Sequence, residues 1–264
     1  MVLLFLAAAL SLPELVLEAT PSVVQVISFK ESSPDAYGVR WPVESKGTGI
    51  MGIEPGIILT NHHLVAGSYA TTITLGDGRL YPVRIIGSDP IVDLAVLSVP
   101  LEAWTEPLPY RNLAALPLQP GEDLAAIGFP FGLDVSVSKG IVSATERFLD
   151  TQSGARWGLL QTDIPINPGL SGGALFDNEG RIVAMAVGRL SGDGEGIGFG
   201  IPIDRVMEWV DRIKNGTAQH ATLGIGLEEG HLPPEYLTRS VPPRLLRVVT
   251  MSQPNNPFTP GDLG

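Results

Sequence analysis

Short apolar segments, each closed by glycine, proline or polar turn residues, follow one another along most of the chain. The first, residues 23–29, is rich in valine and isoleucine, whose β-branched side chains favour extended backbone. About a dozen strands are predicted in this way: residues 23–29, 47–52, 56–60, 71–75, 80–87, 94–99, 124–128, 139–148, 157–162, 172–176, 181–187 and 196–201. Residues 71–75 and 80–87 flank a glycine-containing turn and indicate a hairpin. Many short strands with frequent turns predict an all-β barrel or sandwich.

Two segments have a helical pattern. Ser11 and Glu14 have the spacing of a capping box and begin a short helix, which Thr20 and Pro21 should end. A second helix follows the last strand, because apolar residues recur there every three or four positions, and Gly216 is placed to end it. Its apolar positions are Ile203, Val206, Met207, Val210 and Ile213.

Composition adds exclusions to this picture. Hydrophobic residues make up 44% of the chain and charged residues 17%, so the chain is not intrinsically disordered. The formal charge of −11 repels phosphate backbones, so we expect no nucleic-acid partner. With no cysteine, the chain has no disulfide, no thiol nucleophile and no cysteine-based metal site. We expect no metal and no cofactor.

The amino terminus carries an apolar run over residues 2–10, which is too short to cross a bilayer that needs about 20 residues. The run is typical of the apolar part of a signal peptide, although no lysine or arginine precedes it. The alternative is a buried terminal segment. Residues 1–20 are therefore interpreted as a signal-like segment followed by the short helix, and membrane association is not required.

A candidate nucleophile lies in the glycine-rich segment NPGLSGGAL at residues 167–175. Ser171 has small neighbours that let a substrate backbone approach its hydroxyl. The tight turn can also direct the N–H groups of Gly169 and Ser171 at one point, as an oxyanion hole requires. The alternative for this segment alone is a glycine-rich hairpin turn.

A serine nucleophile needs a base, which in turn is oriented by a third group. His62 and His63 lie in TNHHLVAG, just after a predicted strand. Asp93 lies in SDPIVDLAVL between apolar residues, where a semi-buried carboxylate needs a partner. Taken alone, Asp93 could instead cap the end of a strand.

The order of these residues separates two classes of hydrolase. The segment around Ser171 formally matches the nucleophile elbow of α/β-hydrolases, in which the acid and then the histidine follow the serine. Only His220 and His231 follow Ser171, and the segment predicts two strands rather than a strand and a helix. The order His63, Asp93, Ser171 is the order found in chymotrypsin.

Several motifs, in the right order between residues 23 and 213, resemble those of the HtrA/DegP family of trypsin-like serine proteases. They are TNHHLV, SDPIVDLAVL, GFPFGL, SKGIVSATER, QTDIPINPGLSGGAL and GIGFGIP. The resemblance implies an all-β, chymotrypsin-like double β-barrel with a C-terminal helix, over residues 21–216. It implies a serine endopeptidase that acts on unfolded or misfolded proteins without a cofactor, forms a homotrimer and works in the periplasm or elsewhere outside the cytoplasm.

The resemblance assigns a role to each candidate residue. His63 would be the general base, Asp93 would orient it, and Ser171 would attack the scissile carbonyl. His62 falls on a variable position, so we interpret it as a surface or supporting residue. The backbone of Gly169, Leu170 and Ser171 would form the oxyanion hole, but Leu170 stands where the family usually has asparagine. This departure keeps open the alternative of a degenerate protease acting as a binding or chaperone module.

The resemblance also predicts a specificity pocket. In chymotrypsin-like proteases the base of the primary pocket lies six residues before the nucleophile, which is an uncharged proline in this chain. The expected lining residues are Ile164, Pro165, Ile166, Val187, Gly188 and Ile197. With no acidic residue to bind lysine or arginine, we expect cleavage after small or medium aliphatic residues.

The carboxyl-terminal part resembles a PDZ domain. Residues 217–222 are interpreted as a polar linker, and LGIGL at residues 223–227 resembles the start of such a domain. SQPNNPFTPGDLG resembles a later stretch of it. We expect residues 223–264 to be an incomplete PDZ-like segment, about half of the usual domain.

Overall fold

The structure is a computed structural model that describes residues 9–51, 53–103, 108, 110, 113, 115–151, 154–189, 196–218, 225–231 and 244–251. The chain divides into two compact units, residues 1–218 and 219–264. Most of the predicted signal-like segment, residues 1–8, lies outside the described residues. No helix in the described part of the chain is long and apolar enough to cross a membrane.

The first sheet of the larger unit has seven strands in the order β5-β4-β1-β2-β3-β7-β6. They are β1 (Val23–Glu31), β2 (Pro42–Met51), β3 (Ile57–Thr60), β4 (Ala70–Thr74), β5 (Leu80–Pro82), β6 (Arg84–Asp89) and β7 (Leu94–Ser98). All neighbouring strands are antiparallel. The two edge strands, β5 and β6, are joined through Val83 alone, so the sheet must curl until its edges meet.

The second sheet is a closed six-stranded barrel in the order β10-β13-β12-β11-β8-β9. Its strands are β8 (Asp123–Gly128), β9 (Ser136–Thr151), β10 (Gly154–Thr162), β11 (Ala174–Phe176), β12 (Ile182–Arg189) and β13 (Gly198–Pro202). Closure gives each of the six strands a paired neighbour on both sides. The two sheets together confirm the expected all-β, chymotrypsin-like double-barrel fold.

Three helices accompany the sheets in the described part of the larger unit: α1 (Leu12–Ala19), α2 (His62–Val65) and α3 (Ile203–Lys214). The predicted start of α1 is confirmed, because the Ser11 N–H and hydroxyl donate to Glu14 Oε2 at 2.9 and 2.6 Å. The predicted stripe of α3 is largely buried, and its end packs so closely against Gly87 of β6 that a Cβ there would lie 2.9 Å from Ile213 Cγ2. Helix α3 therefore covers the first sheet after leaving the barrel.

One predicted strand is wrong in its extent. Residues 80–87 were expected to form a single strand of a hairpin, but they are divided at Val83 between β5 and β6. Strand β5 pairs with β4 as the hairpin requires, whereas β6 pairs with β7 at the opposite edge. The cause is nonlocal: the chain must cross between edges here, and the Val83 N–H donates to Thr71 O at 3.1 Å.

The core joins the two sheets. One buried cluster contains Ile50 and Leu59 from the first sheet together with Ile127 and Phe176 from the barrel, all less than 1% exposed. Burial of such side chains stabilises the fold by about 1.5–3 kcal/mol each. The loops that leave the strands at this junction are therefore held by packing from both sides.

The smaller unit has its own short sheet, in which β14 (Ile225–His231) pairs antiparallel with β15 (Arg244–Met251). The expected incomplete PDZ-like segment stays a prediction. Most of the predicted linker, residues 219–222, lies outside the described residues.

Candidate active site

His63 lies on the short helix α2, which follows directly on strand β3. Leu64 and Val65, at the end of this helix, are 4% and 2% exposed and anchor it in the core of the first sheet. His62 and His63 precede them, and the side chain of His63 remains 47% exposed. This local pattern fixes the helix by its apolar end and leaves the His63 ring accessible to a substrate.

Asp93 lies at the tight turn between β6 and β7, with a positive φ of 62° that is unusual for a residue with a side chain. Asp89 Oδ1 shapes this turn by accepting the N–H groups of Ile91 and Val92, both at 2.9 Å. The fully buried Asn61 donates its side-chain amide to Asp93 O at 2.9 Å. These contacts hold a strained conformation that presents the carboxylate to α2.

The His63 ring and the Asp93 carboxylate are in direct contact. His63 Nδ1 lies 2.8 Å from Asp93 Oδ2 and 3.1 Å from Oδ1, and the His63 backbone N–H donates to Oδ1 at 3.0 Å. The Asp93 side chain is 2% exposed, so its charge requires these donors. An ionised carboxylate only accepts, so Nδ1 carries the proton and the Nε2 lone pair is left to act as a base.

The neighbouring histidine has a different environment. His62 Nδ1 lies 2.9 Å from Ser88 Oγ, and burial lowers the pKa of His62, an effect that the nearby Asp93 carboxylate opposes. Lys30 Nζ donates to His63 O at 2.9 Å, and burial lowers the pKa of Lys30. His62 thus contacts the end of β6, while Lys30 fixes the backbone of α2.

Ser171 lies in a turn that only glycine permits at two positions. Gly169 has φ of +95°, and a Cβ on it would collide with Phe129 O. Gly172 has φ of +84°, and a Cβ there would collide with Thr48 O. The backbone on both sides of Ser171 therefore packs directly against neighbouring backbone, which fixes the position of the Ser171 backbone.

Two N–H groups in this turn are unused. The Leu170 N–H donates to Asn167 O and the Gly172 N–H to Ala186 O, at 2.9 and 2.8 Å. Within the described part of the chain, neither the Gly169 N–H nor the Ser171 N–H donates a hydrogen bond. These are the two donors expected for the oxyanion hole, whereas the N–H of Leu170, the third residue named for it, is already engaged.

Leu170 itself is anchored by packing. Its side chain is 4% exposed and belongs to an apolar cluster with Ile164 and Ile166. A Cβ on Gly128 would lie 2.7 Å from Leu170 Cδ1, so the Leu170 side chain packs directly against the backbone of β8. An apolar side chain at this position therefore secures the turn from inside the barrel.

Hydrogen bonds connect the Ser171 turn to the strand that precedes the histidine. The Thr48 N–H donates to Ser171 O at 2.9 Å, and the Thr60 hydroxyl donates to Thr48 O at 2.7 Å. Thr60 ends β3, three residues before His63. The Ser171 hydroxyl makes no hydrogen bond among the described residues. Nucleophile–base hydrogen bonds are often long without substrate.

The residues expected for the specificity pocket fall into different environments. Ile164 and Ile166 are buried in one apolar cluster, Val187 belongs to another, and Ile197 packs against the second of these. Pro165 is exposed and Gly188 is half-buried. Strand β13 packs closely against residues 164 and 166 at Gly198, because a Cβ on Gly198 would lie 2.5 Å from Ile166 Cγ1 and 2.6 Å from Ile164 O. The pocket assignment stays a prediction.

Sequence reasoning missed three supporting residues: Thr48, Asn61 and Asp89. Asn61 was visible in the TNHH motif, and Thr48 stands between two glycines, a pattern that indicates close backbone approach. Asp89 carried no distinguishing signal beyond its place in a turn.

Among the described residues, no group of three or more histidine or acidic side chains could hold a metal ion.

Comparison with known proteins agrees with this geometry. A family model described as a trypsin-like peptidase domain matches residues 47–185. A probable periplasmic DegP-like serine endoprotease from Hahella chejuensis is 40% identical over 207 residues, which cover 76% of this chain and 43% of the relative. A Do-like HtrA serine protease from Lactobacillus helveticus is 33% identical over 204 residues, or 71% of this chain and 49% of the relative. The chain spans less than half the length of these curated relatives.

Solved structures show the same likeness. The HtrA-type protease AlgW with a decapeptide matches 93% of this chain and 80% of its own, with a TM-score of 0.74 and 28% identity. The same protease with a tripeptide covers 86% of this chain and 70% of its own, with a TM-score of 0.71 and 32% identity. With its two-barrel fold and these relatives, the chain belongs to the trypsin-like peptidases, as a member of the HtrA/DegP family of serine proteases.

Proposed function

We propose that the chain is a serine endopeptidase that uses His63, Asp93 and Ser171. The observation that carries this proposal is the contact between His63 Nδ1 and the buried Asp93 carboxylate, at 2.8 Å. This contact leaves Nε2 as the basic atom of an accessible ring. The unused N–H groups of Gly169 and Ser171 supply the second requirement, which is stabilisation of an oxyanion.

The mechanism follows from these positions. Ser171 Oγ attacks the scissile carbonyl carbon while His63 Nε2 accepts the hydroxyl proton. Asp93 stabilises the imidazolium that results, and the N–H groups of Gly169 and Ser171 bind the oxyanion of the tetrahedral intermediate. His63 then gives its proton to the leaving amine, which produces an acyl-enzyme. Water, activated by the same histidine, releases the acid product and restores Ser171.

A fluorophosphonate probe tests whether Ser171 is activated. We expect the wild-type protein to be labelled at Ser171, located by mass spectrometry of the modified peptide, because the probe needs a deprotonated hydroxyl and an oxyanion site. Ser171→Ala should abolish labelling and cleavage. Ser136→Ala is the matched control: it removes a hydroxyl of the same barrel that donates to Asp134 O, and it should label normally. A folded wild-type protein that resists the probe would favour the binding or chaperone module instead.

The substrates we propose are unfolded or misfolded polypeptides. The AlgW structures with a decapeptide and with a tripeptide support a peptide as the type of ligand. The predicted pocket base is Pro165, which has no charge to bind lysine or arginine, and its neighbours Ile164 and Ile166 are apolar.

We expect cleavage after valine, alanine, leucine or isoleucine, with modest discrimination, because one methylene is worth about 1–3 kcal/mol. Sequencing the products of a chemically unfolded protein would measure the preference. Digestion by the Ser171→Ala variant is the control for contaminating protease. A dominant cut after arginine or lysine would contradict the assignment of Pro165 to the pocket base.

Location and assembly belong to the same proposal. The names of the DegP-like relatives support a periplasmic or otherwise extracytoplasmic location. The homotrimer and the PDZ-like character of residues 223–264 stay predictions from the family resemblance.

A further inference from the structure

Thr48 is a buried residue of the first sheet that is bonded to the barrel at the Ser171 turn. Its side chain is fully buried, its hydroxyl donates to Gly169 O at 2.7 Å, and the same oxygen accepts the Phe129 N–H at 3.0 Å. Its backbone N–H donates to Ser171 O at 2.9 Å. One residue of strand β2 therefore holds the carbonyl groups on both sides of Leu170.

The position of this hydroxyl relative to the two unused donors is the important feature. A peptide unit is planar, so fixing its carbonyl also fixes the N–H of the next residue. The unit between Gly169 and Leu170 lies between the two units that carry the unused N–H groups of Gly169 and Ser171. Thr48 holds its carbonyl end, and Asn167 O holds its N–H end.

In the two neighbouring peptide units of the turn, the carbonyl groups accept hydrogen bonds from backbone N–H groups. Pro168 O accepts the Phe131 N–H at 2.6 Å, and Leu170 O accepts the Gly173 N–H at 2.9 Å. The carbonyl of Gly169 is bonded instead to a side chain. Gly169 has φ of +95° and no side chain of its own to restrict it, so rotation of this unit is resisted by the Thr48 hydroxyl at its carbonyl end and by Asn167 O at its N–H end.

Among the described residues, the Thr48 hydroxyl donates to no group other than Gly169 O. The Phe129 N–H occupies the oxygen as a donor, so the hydroxyl hydrogen is directed at Gly169 O. Gly128, the residue before Phe129, leaves room for it, because a Cβ there would lie 2.7 Å from Thr48 Oγ1. The Phe129 N–H, just after the end of β8, thus orients the Thr48 hydroxyl, and the hydroxyl in turn orients the Gly169 carbonyl.

We infer that Thr48 is a positioning residue, whose hydroxyl holds the Gly169–Leu170 peptide unit so that the N–H groups of Gly169 and Ser171 converge on the oxyanion. This inference rests on the proposed peptidase function. Thr48 does not touch the substrate; it acts through the orientation of two backbone donors. Loss of the hydroxyl should therefore affect stabilisation of the tetrahedral intermediate more than substrate binding.

The test compares the wild-type chain of 264 residues with Thr48→Val, which keeps the shape and removes the hydroxyl, and Thr48→Ser, which keeps the hydroxyl. We expect Thr48→Val to lower kcat about 10²-fold, the effect of losing one oxyanion donor, with KM nearly unchanged. Affinity for a peptidyl trifluoromethyl ketone, whose adduct oxygen occupies the oxyanion site, should fall in parallel. Thr48→Ser should restore most of both.

Thr72→Val is the matched control, because Thr72 is also in the first sheet and its hydroxyl is buried with no hydrogen-bond partner among the described residues. It should leave kcat unchanged. If Thr48→Val does not fold, Thr48→Ala against Thr48→Ser makes the same comparison of the hydroxyl.

The outcomes are distinct. Wild-type kcat in a folded Thr48→Val protein would overturn the inference while the proposed function stands. Equal losses in Thr48→Val and Thr48→Ser, with KM rising as kcat falls, would also overturn it, because they would show a general packing role. A wild-type chain that neither cleaves peptides nor labels at Ser171 would overturn the proposed function, and the inference with it.

Discussion

Replacing His63 by alanine is expected to lower kcat for a peptide substrate by about 10⁶-fold, as removal of the general base does in the serine protease subtilisin. The reason is geometric: the Nδ1 atom of His63 contacts Asp93 at 2.8 Å, and its ring is 47% exposed. His63 is the residue that combines an oriented Nδ1 proton with an accessible Nε2. Steady-state cleavage of a fluorogenic peptide measures the loss, and the thermal unfolding midpoint shows whether the variant folds.

His62→Ala is the matched control, because it removes the adjacent histidine from the same helix. Its Nδ1 lies against Ser88 rather than against Asp93, at 2.9 Å, so we expect most of the activity to remain. An equal loss of activity in both variants, with both proteins folded, would refute the assignment of His63 as the base.

Asp93→Asn is expected to lower kcat by about 10⁴-fold through the wrong histidine tautomer, as the corresponding change does in trypsin. Asp93 Oδ1 accepts the His63 backbone N–H at 3.0 Å, so the carbonyl oxygen of the new amide should take that place. The amide nitrogen then faces His63 Nδ1, which becomes an acceptor. The ring proton moves to Nε2, where it blocks acceptance of the Ser171 proton.

The reverse amide orientation is unfavourable, because it places the NH₂ group of the new asparagine against the His63 backbone N–H, so that two donors face each other. The measurement is kcat under saturating substrate, together with the thermal midpoint. Asp123→Asn makes the same chemical change at an exposed ion pair with Lys139 and should leave kcat unchanged, because such pairs contribute little. Normal kcat in Asp93→Asn would show that the carboxylate does not set the tautomer.

Local features of the sequence were sufficient for several elements. The capping residues of α1 and the apolar stripe of α3 were found because a helix is specified within a few turns of chain. Most strands were placed within two or three residues, since burial of alternate or consecutive apolar residues is also a local pattern. The motif resemblance named His63, Asp93 and Ser171 as site residues, and the first two are in contact in the structure.

Other features depended on contacts between distant parts of the chain. The division of residues 80–87 at Val83 follows from two different pairing partners, β4 and β7, at opposite edges of the sheet. Pro82 precedes the break and has no backbone N–H to donate, but a proline does not indicate which edges the two halves will pair with. Strand pairing is decided by which edges are available in three dimensions, and that information is absent from a single segment.

The sequence by itself therefore determined the double-barrel class, helices α1 and α3, and the identity of the candidate catalytic side chains, but not the short helix α2. Only the tertiary structure decided how the site is held: Thr48 is 121 positions away from Gly169, to which its hydroxyl is bonded, and Asn61 is 32 positions away from Asp93. The physical reason is that a side chain forms a hydrogen bond only if folding brings a partner within about 3 Å, and these partners lie far away in the sequence. Chemical type and short spacing identify reactive groups, whereas the packing of two sheets brings their supports within bonding distance.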